Sequence, residues 1–424
     1  MTPEAALARI HALGRFGELG LERMERLMAR LHHPERAFRA FHVAGTNGKG
    51  SVGAHLEALL RPGGRVGFTS SPHLAEVGER VRVDGRPADP GALARWLEVN
   101  EGALCDPGGE AVTEFEALTA WAFDAFRAAG VTDAVVEVGL GGRLDATNVL
   151  PPPAVAVITP IGLDHMDRLG PTLAAIAGEK AGIIKTGGAL VVARQPDPAA
   201  RVIAAAASRA GVVPRLEGRD FGARRIRVTE HGTRFDLVVG QRRFRGLRTP
   251  LLGRHQAHNA AVAAAALDAV DPERLERALA AGALDATVWP GRLEVVADSP
   301  PVVLDGAHNP HATRTLARAV GEIWPGRRAT LVFGMLEDRD SVRVISPLLP
   351  IAERVILTRP PSARARDPES MVGRLPGVAL RVEADPWDAL TRARELTPGD
   401  GLVLVTGSLY LVGAIRARLR SANL

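Results

Sequence analysis

A lysine, a glutamate and a histidine stand in local patterns that could act on a bound phosphate. Lys49 lies in residues 45–51, GTNGKGS, a glycine-rich segment of the phosphate-loop type. Glu137 ends the apolar run of residues 134–136 and precedes Gly-Leu-Gly-Gly, and His165 comes shortly after another apolar run. Backbone amides and an ammonium can surround phosphate oxygens, and an adjacent carboxylate can bind Mg²⁺. These residue types therefore predict metal-assisted chemistry at a nucleotide phosphate.

The glycine-rich segment departs from the common Walker A spacing. That pattern needs glycine where Val43 stands, and a hydroxyl residue where Gly50 stands; the hydroxyl is displaced to Ser51. Backbone amides at the start of the following helix can still surround a phosphate. The predicted phosphate contacts are Gly48, Lys49, Gly50 and Ser51. The alternative is a glycine-rich turn between a strand and a helix that binds no ligand.

Lysine is rare in this chain, so each one needs an explanation. Of 53 basic residues, only Lys49, Lys180 and Lys185 are lysines. An ammonium is a compact point charge that suits phosphate, and its pKa can fall far enough to release a free amine, which that of arginine does not. Lys185 can be a cation at a helix C-terminus. Codon bias that left three lysines at random is the alternative.

Helical and strand spacing alternate along the first two thirds of the chain. Two helices joined by a loop are predicted within residues 4–31, and a β-hairpin is predicted at 225–239. The other predicted strands are 40–44, 134–138, 154–159 and 189–193. The other predicted helices are 51–60, 114–129, 171–184 and 257–270. This alternation favours a mostly parallel sheet covered by helices on both faces.

A second alternation begins after residues 289–291, Trp-Pro-Gly, where the first one breaks. Its predicted strands are 302–304, 329–333, 354–357, 378–382 and 401–405. The chain is longer than single cores usually become, so two domains are expected, at 1–288 and 289–424. The predicted fold class is α/β, with a P-loop parallel-sheet ATPase domain and a smaller, Rossmann-like doubly wound C-terminal domain. An active site is expected in a cleft between them.

Composition argues against several classes of protein. The net charge is +5, but the arginines are spread among nearly as many carboxylates, so a solvated surface and no nucleic-acid partner are predicted. No apolar run reaches the roughly 18 residues of a membrane span, and the N-terminus lacks a signal-peptide pattern. No membrane partner and a cytoplasmic location are therefore expected. The single cysteine, Cys105, excludes an internal disulfide and a cysteine-cluster metal site.

Nine segments occur in an order that resembles one known family. They are GTNGKGS (45–51), TSSPHL (69–74), EVGLGGRLDATN (137–148), GLDHMD (162–167), EKAGII (179–184), GRHQAHNA (253–260), PGRLE (290–294), DGAHNP (305–310) and TGSLYLVG (406–413). From about residue 14 to the C-terminus, the chain is similar to the folylpolyglutamate synthase and dihydrofolate synthase family, a branch of the Mur ligase superfamily. Nine motifs in one order are far more specific than any one of them.

The resemblance implies an ATP-dependent amide ligase. In that family the substrate carboxylate takes the γ-phosphoryl group of ATP to give an acyl phosphate, which the amino group of L-glutamate attacks. Beyond the phosphate loop, the implied nucleotide contacts are Asn259, Arg292 and Asp305, and His308 is an implied substrate contact. The expected partners are ATP, dihydropteroate, reduced folates and L-glutamate, and a monomer is expected.

The resemblance also implies two Mg²⁺ sites and a modified lysine. The implied metal ligands are Ser71, Glu137, His165 and Lys180, and the last three would be catalytic. Lys180 matches the family's carbamylated lysine; CO₂ adds only to an unprotonated amine, and the product is a carboxylate on a long stem that can bind a metal. The alternative for Lys180 is an exposed helix residue paired with a nearby carboxylate.

Family members that also accept dihydropteroate are similar to this chain around the pterin. The implied pterin contacts are Thr113, Phe115, Leu144, Asp145 and Ala146, and their presence favours a bifunctional bacterial enzyme. The chain departs from the family at Arg339, where lysine is frequent, which argues against chemistry at that position.

Two other functions remain open at this point. One is a peptidoglycan-precursor or cyanophycin-type ligase, which would share the loop, the glutamate, the histidine and the modified lysine but would not carry TSSPHL and LDATN. The other is a phosphate-loop switch or a nucleic-acid-dependent ATPase, which would hydrolyse ATP without glutamate.

Overall fold

A computed structural model of the chain describes residues 1–14, 20–104, 111–375 and 378–421. The chain divides into two compact units. The first contains Met1–Ile226, Arg234–Thr249 and Ala257–Val288, and the second contains Arg227–Thr233, Pro250–Gln256 and Trp289–Leu424. Cys105 lies outside the described residues. None of the helices in the described ranges has the length and apolar character needed to cross a membrane.

An eight-stranded sheet forms the centre of the first unit. Its strands are β1 (Arg39–Ala44), β2 (Val66–Thr69), β3 (Val81–Val83), β4 (Arg86–Pro87), β5 (Asp133–Glu137), β6 (Val155–Ile158), β7 (Ala189–Val192) and β8 (Pro214–Leu216). The spatial order is β4-β3-β2-β5-β1-β6-β7-β8, parallel from β2 to β8 and antiparallel at β3 and β4. The predicted parallel sheet is confirmed. Strands β2, β3, β4 and β8 were not predicted. Strands β3, β4 and β8 have two or three residues, too few to show a period, and Gly67 interrupts the apolar residues of β2.

Helices cover this sheet. Those before residue 289 are α1 (Pro3–His11), α2 (Glu22–Arg30), α3 (Lys49–Leu60), α4 (Ala92–Leu104), α5 (Glu114–Ala128), α6 (Met166–Leu169), α7 (Leu173–Ala181), α8 (Asp197–Arg209), α9 (Arg254–Asp268) and α10 (Pro272–Ala280). Every residue of β5 and of β6 is buried, which requires cover on both faces. This is why these strands are continuous apolar runs rather than alternating ones.

A small antiparallel sheet follows β8. Its strands are β9 (Phe221–Thr229), β10 (Gly232–Val239) and β11 (Arg242–Thr249), in the order β11-β10-β9. The predicted hairpin is present, with its turn at residues 230–231. The third strand was not predicted, since its four arginines alternate only weakly with apolar residues.

A six-stranded sheet forms the centre of the second unit. Its strands are β12 (Glu294–Asp298), β13 (Pro301–Leu304), β14 (Ala329–Phe333), β15 (Ala352–Leu357), β16 (Ala379–Val382) and β17 (Leu402–Thr406). The order is β12-β13-β17-β14-β15-β16, and only the β12–β13 pair within it is antiparallel. The helices are α11 (Pro310–Ile323), α12 (Ser341–Ile345), α13 (Pro386–Leu396) and α14 (Leu409–Ser421). The five predicted parallel strands are confirmed, and the edge strand β12 was not predicted.

The strand order of the first sheet brings the candidate residues to one edge. Strand β1 lies between β5 and β6, and all three are parallel. The glycine-rich loop follows β1, Glu137 ends β5, and His165 follows β6. Carboxyl ends of neighbouring parallel strands are where open α/β sheets bind ligands.

Candidate active site

The glycine-rich loop is shaped by one glycine and by the helix that follows it. Gly48 has φ of 90° and caps α3, whose first residue is Lys49. A Cβ at Gly48 would lie 2.9 Å from Asn259 Oδ1, so the loop packs directly against that amide. Gly50 and Ser51 are buried in the first turn of α3. The structure thus brings Asn259 to the N-terminus of a 12-residue helix, where backbone N–H groups can bind an anion.

Lys49 and Glu137 form the charged part of this edge. Lys49 Nζ lies 3.7 Å from Glu137 Oε1 and donates a hydrogen bond to the Gly45 carbonyl at 3.3 Å. Glu137 is buried, with 7% of its surface exposed. A buried carboxylate beside an ammonium suits a site that binds both a phosphate and a divalent cation.

A cleft lies beside Glu137. Its lining residues are Thr69, Ser70, Ser71, Arg80, Phe115, Leu118, Thr119, Glu137 and Thr147. Three of these, Ser71, Phe115 and Glu137, were predicted as site residues. Thr147 was missed, although its segment LDATN was quoted. Arg80 was also missed; it lies in none of the nine segments, and its Nε donates to His73 Nδ1 at 2.9 Å.

Lys180 is buried in the last turn of α7, with 5% of its surface exposed. Burial, and secondly the charge of Lys49, lower the pKa of Lys180 to about 7, against the opposing effect of Asp164, Asp145 and Glu179. The exposed helix lysine of the alternative interpretation is therefore wrong. A lysine with this pKa carries a substantial fraction of free amine at neutral pH.

His165 lies apart from two of the other predicted metal ligands, Ser71 and Glu137. Its side chain is 44% exposed, its φ is 50°, and its Nε2 lies 3.9 Å from Asp164 Oδ1. Within the described part of the chain, His165 is not among the residues that line the cleft of Ser71 and Glu137. Within the described ranges, no three His, Cys, Asp or Glu side chains cluster as metal ligands. Two of the four predicted metal ligands, Glu137 and His165, are of these residue types. The other two are the hydroxyl residue Ser71 and the lysine Lys180.

Two of the five implied pterin contacts have partners within the chain. Thr113 Oγ1 accepts from Glu116 N at 3.3 Å and caps α5, while Glu116 Oε2 accepts from Thr113 N at 2.7 Å. Asp145 is buried and accepts from Leu140 N at 2.8 Å and from Thr147 Oγ1 at 2.5 Å.

Asp145 also differs from an ordinary carboxylate in its ionisation, because burial raises its pKa and these hydrogen bonds oppose the rise. Leu144 is half-buried and Ala146 is buried. Among the described residues, Phe115 is the one of the five implied pterin contacts that lines the cleft.

The second unit brings its three predicted residues together after β13. Asp305 accepts from Leu293 N at 2.9 Å and from Ala307 N at 2.8 Å. Burial raises the pKa of Asp305, and Arg292 opposes this. Arg292 Nη1 lies 2.6 Å from where a Cβ of Gly306 would be.

His308 belongs to the same loop. Its Nδ1 donates to the Gly306 carbonyl at 2.7 Å, which directs the other ring nitrogen away from that contact. Asn309 caps α11 by accepting from Ala312 N. Arg339 Nη1 lies 3.5 Å from the His308 carbonyl.

Known proteins with the same domains share this arrangement of the chain. Residues 43–267 match the Mur ligase middle domain, and residues 291–409 match the glutamate ligase domain of Mur ligases. The chain is 37% identical over 425 residues to dihydrofolate synthase/folylpolyglutamate synthase of Bacillus subtilis, which covers 97% of both chains.

Solved structures agree with this similarity in sequence. Folylpolyglutamate synthase of Mycobacterium tuberculosis, complexed with ADP and AMPPCP, superposes with a TM-score of 0.90 at 35% identity over 98% of both chains. The bifunctional folylpolyglutamate synthase/dihydrofolate synthase of Yersinia pestis, complexed with AMPPNP and Mn ion, gives 0.86 at 32% identity, over 99% of this chain and 98% of that chain. The chain therefore belongs to the folylpolyglutamate synthase and dihydrofolate synthase family of the Mur ligase superfamily, a family of ATP-dependent ligases.

Proposed function

We propose that this enzyme is an ATP-dependent amide ligase that adds L-glutamate both to dihydropteroate and to tetrahydrofolate and its polyglutamates. The observation that carries the proposal is the contact of Lys49 with Glu137 at the mouth of a cleft that also contains Ser71 and Phe115. A phosphate-binding cation, two oxygen ligands for a metal and an aromatic ring for a flat substrate thus share one site. The similar proteins of Bacillus subtilis and Yersinia pestis carry both activities in their names, which supports the same reaction.

The reaction proceeds in two steps. A carboxylate oxygen of the substrate forms a bond to the γ-phosphorus of ATP as the bond to the bridging oxygen breaks and ADP leaves. The amine of glutamate then forms a bond to the acyl carbon, phosphate leaves, and the amine gives up a proton. Gly48, Lys49, Gly50 and Ser51 hold the phosphates, while Asn259, Arg292 and Asp305 contact the nucleotide.

A divalent cation belongs to this site by the chemistry of its donors. Ser71 and Glu137 supply oxygen ligands, which Mg²⁺ prefers, and His165 follows the neighbouring strand. A cation held by these residues would neutralise charge on the transferred phosphoryl group. Phe115 forms the pterin side of the site, with Thr113 beside it in the chain and Leu144, Asp145 and Ala146 directly before the cleft residue Thr147. His308 contacts substrate.

We also propose that Lys180 is carbamylated. Carbon dioxide adds to the free amine, the N–C bond forms, and one proton leaves. Burial and the pKa near 7 favour the free amine, and the product supplies carboxylate oxygens as ligands for a second Mg²⁺. In the proposed enzyme, residues 1–288 bind ATP, residues 289–424 form the glutamate ligase domain, and the chain acts as a monomer.

Phosphate release tests the function. The purified enzyme is given ATP and Mg²⁺ with dihydropteroate, with tetrahydrofolate, with glutamate, and with each pterin plus glutamate. We expect sustained release only when a pterin and glutamate are both present. Release that is indifferent to pterin and to glutamate indicates an ATPase, and no release with either pterin plus glutamate indicates a Mur-type ligase for another acid substrate; either result would overturn the proposal.

A further inference from the structure

Lys185 is the lysine that neither the motifs nor the reaction explain, and its contacts are well defined. Its Nζ donates to the carbonyl of Asn148 at 2.8 Å and to that of Leu150 at 2.5 Å. These carbonyls lie at the end of the short 3₁₀ turn Ala146–Val149. The last carbonyls of a helical turn lack partners within it, and an ammonium has donors only. Lys185 therefore caps this turn from a distant part of the chain.

The capped turn carries a residue of the cleft. Thr147 lines the cleft together with Ser71 and Glu137. Its Oγ1 donates to Asp145 Oδ1 at 2.5 Å and lies 2.8 Å from His42 Nε2. Because the single hydroxyl proton goes to Asp145, His42 Nε2 must be the donor in the second contact. Full burial lowers the pKa of His42 to about 3, so this imidazole stays neutral.

The same turn is also tied to the segment that contains Lys180. Asn148 Nδ2 donates to the Gly182 carbonyl at 3.2 Å, and Arg143 N, just before the turn, donates to the Glu179 carbonyl at 2.8 Å. A Cβ at Gly142 would lie 2.8 Å from Glu179 O, so the two backbones are in direct contact. The turn beside the cleft and the end of α7 are therefore packed directly against each other.

From these contacts we propose that Lys185 is a positioning residue for the ligase reaction. Its ammonium holds the 146–149 turn against the end of α7, so that Thr147 keeps its place in the cleft beside Glu137. This inference rests on the proposed function, because the cleft is taken as the pterin site. The single nitrogen of the ammonium donates to both carbonyls of the turn.

A purely structural cap would behave differently from a positioning residue. Loss of a structural cap lowers stability and leaves the Michaelis constants alone. If Thr147 moves from its position in the cleft, pterin binding weakens. The nucleotide loop, which is formed by the start of α3 and packs against Asn259, keeps its conformation. The ratio of the two Michaelis constants is therefore the informative measurement.

The test is Lys185→Met, with Arg328→Met as the matched control. Arg328 also donates to two carbonyls, those of Pro350 at 2.6 Å and Ala352 at 2.7 Å. It directly precedes β14 and so lies at the amino-terminal end of that strand, away from the carboxyl ends of the sheet. For Lys185→Met we expect the KM for dihydropteroate to rise about tenfold, and the KM for ATP to stay within about twofold of wild type. Arg328→Met should leave both constants unchanged.

The variant Lys185→Gln covers the case in which the methionine variant does not fold. It keeps N–H donors on a shorter, neutral side chain, and we expect a smaller rise in the KM for dihydropteroate with the KM for ATP again unchanged. A folded Lys185 variant with the pterin constant of wild type would overturn the inference. So would a parallel rise in both constants that follows only the fall in melting temperature.

The wild-type enzyme in the same assay separates this inference from the proposed function. If it releases no phosphate in response to pterin and glutamate, the proposed function fails. If it is active and the Lys185 variants match it, only the positioning role fails.

Discussion

The carboxylate of Glu137 lies 3.7 Å from the ammonium of Lys49, between the end of β5 and the start of α3. This separation is that of an ion pair rather than of a short hydrogen bond. Neither group therefore depends on the other for a tight contact, and both can turn to a phosphate or a metal. Removing either charge should affect chemistry more than stability.

Glu137→Gln tests this directly. The amide keeps the shape of the side chain but removes the negative charge that a metal requires, so we expect kcat to fall on the order of a thousandfold. The concentration of Mg²⁺ that gives half-maximal activity should rise in a titration of the remaining activity. Glu276→Gln, at a surface carboxylate 3.1 Å from Arg242, should match wild type. An unchanged Mg²⁺ titration in Glu137→Gln would exclude Glu137 as a ligand.

Gly48→Ala tests the nucleotide loop. At φ of 90° a side chain is strained, and the new Cβ would lie 2.9 Å from Asn259 Oδ1. We expect the KM for ATP to rise about tenfold or more, since displacement of the Asn259 amide disturbs the loop. Gly326→Ala is the control: φ is 81° there, and nothing lies within 4 Å of the new Cβ. It should lose about 1–2 kcal/mol of stability and bind ATP normally.

The strands that carry the site could be predicted because they are buried on both faces. A continuous apolar run that ends at a polar residue marks both the strand and its carboxyl end, as at β5 and Glu137. Because β5 and β6 both run parallel to β1, Glu137 and His165 were expected at the same, carboxyl-terminal edge of the sheet. Short strands such as β3 carry no comparable signal, and Arg80, which precedes β3, was missed with them.

Which side chain of a motif faces the cleft could not be predicted. Asp145 and Thr147 are two residues apart in the same segment, yet Asp145 is occupied by buried hydrogen bonds and Thr147 lines the cleft. The orientation depends on the turn and on His42, which is far away in the chain. The role of Lys185 was missed for the same reason, because its carbonyl partners lie 35 and 37 residues away.

Arg82→Met should be severely destabilising. Arg82 Nη2 lies 2.7 Å from Glu57 Oε2, and both side chains are buried, at 9% and 3% exposure. The methionine leaves an unpaired buried carboxylate, which costs about 3–5 kcal/mol in urea denaturation. Burial raises the pKa of Glu57 and Arg82 opposes this, so without the arginine the carboxyl takes up a proton more readily. The loss should therefore shrink as the pH falls.

Two further variants check that interpretation. The double variant Glu57→Gln, Arg82→Met removes the buried charge and should recover part of the loss. Arg392→Met breaks an exposed pair with Glu395 at 2.8 Å and should cost at most about 1 kcal/mol. Equal losses for Arg82→Met and Arg392→Met would contradict the burial argument.

Lys180→Ala tests the carbamate. We expect it to be inactive in the phosphate-release assay and partly restored by acetate, because a small carboxylate can occupy the place of the missing metal ligand. Lys180→Arg should be equally inactive, since a guanidinium does not become a free amine and cannot form the carbamate. Full activity of Lys180→Arg would remove the carbamate from the mechanism.

The lowered pKa of Lys180 also predicts how stability depends on pH. The amine titrates at about 7 in the folded chain and at its ordinary value of 10.5 when unfolded. Between these values the unfolded chain binds more protons, so stability rises with pH across that window, and below it the folded chain must bury a charged ammonium. Lys180→Met has no charge to bury. In buffers free of CO₂, metal and nucleotide, it should be more stable than wild type at about pH 6, by a few kcal/mol, and the difference should narrow by about pH 9.

Ile176→Val, at a buried apolar position of the same helix, is the control for this comparison. It removes a methylene and no ionisable group, so its loss of about 0.5–1.5 kcal/mol should be the same at both pH values. Urea denaturation at each pH measures all three proteins. A constant difference between wild type and Lys180→Met would mean that Lys180 keeps an ordinary pKa in the folded enzyme, and the free amine that carbamylation needs would then be scarce at neutral pH.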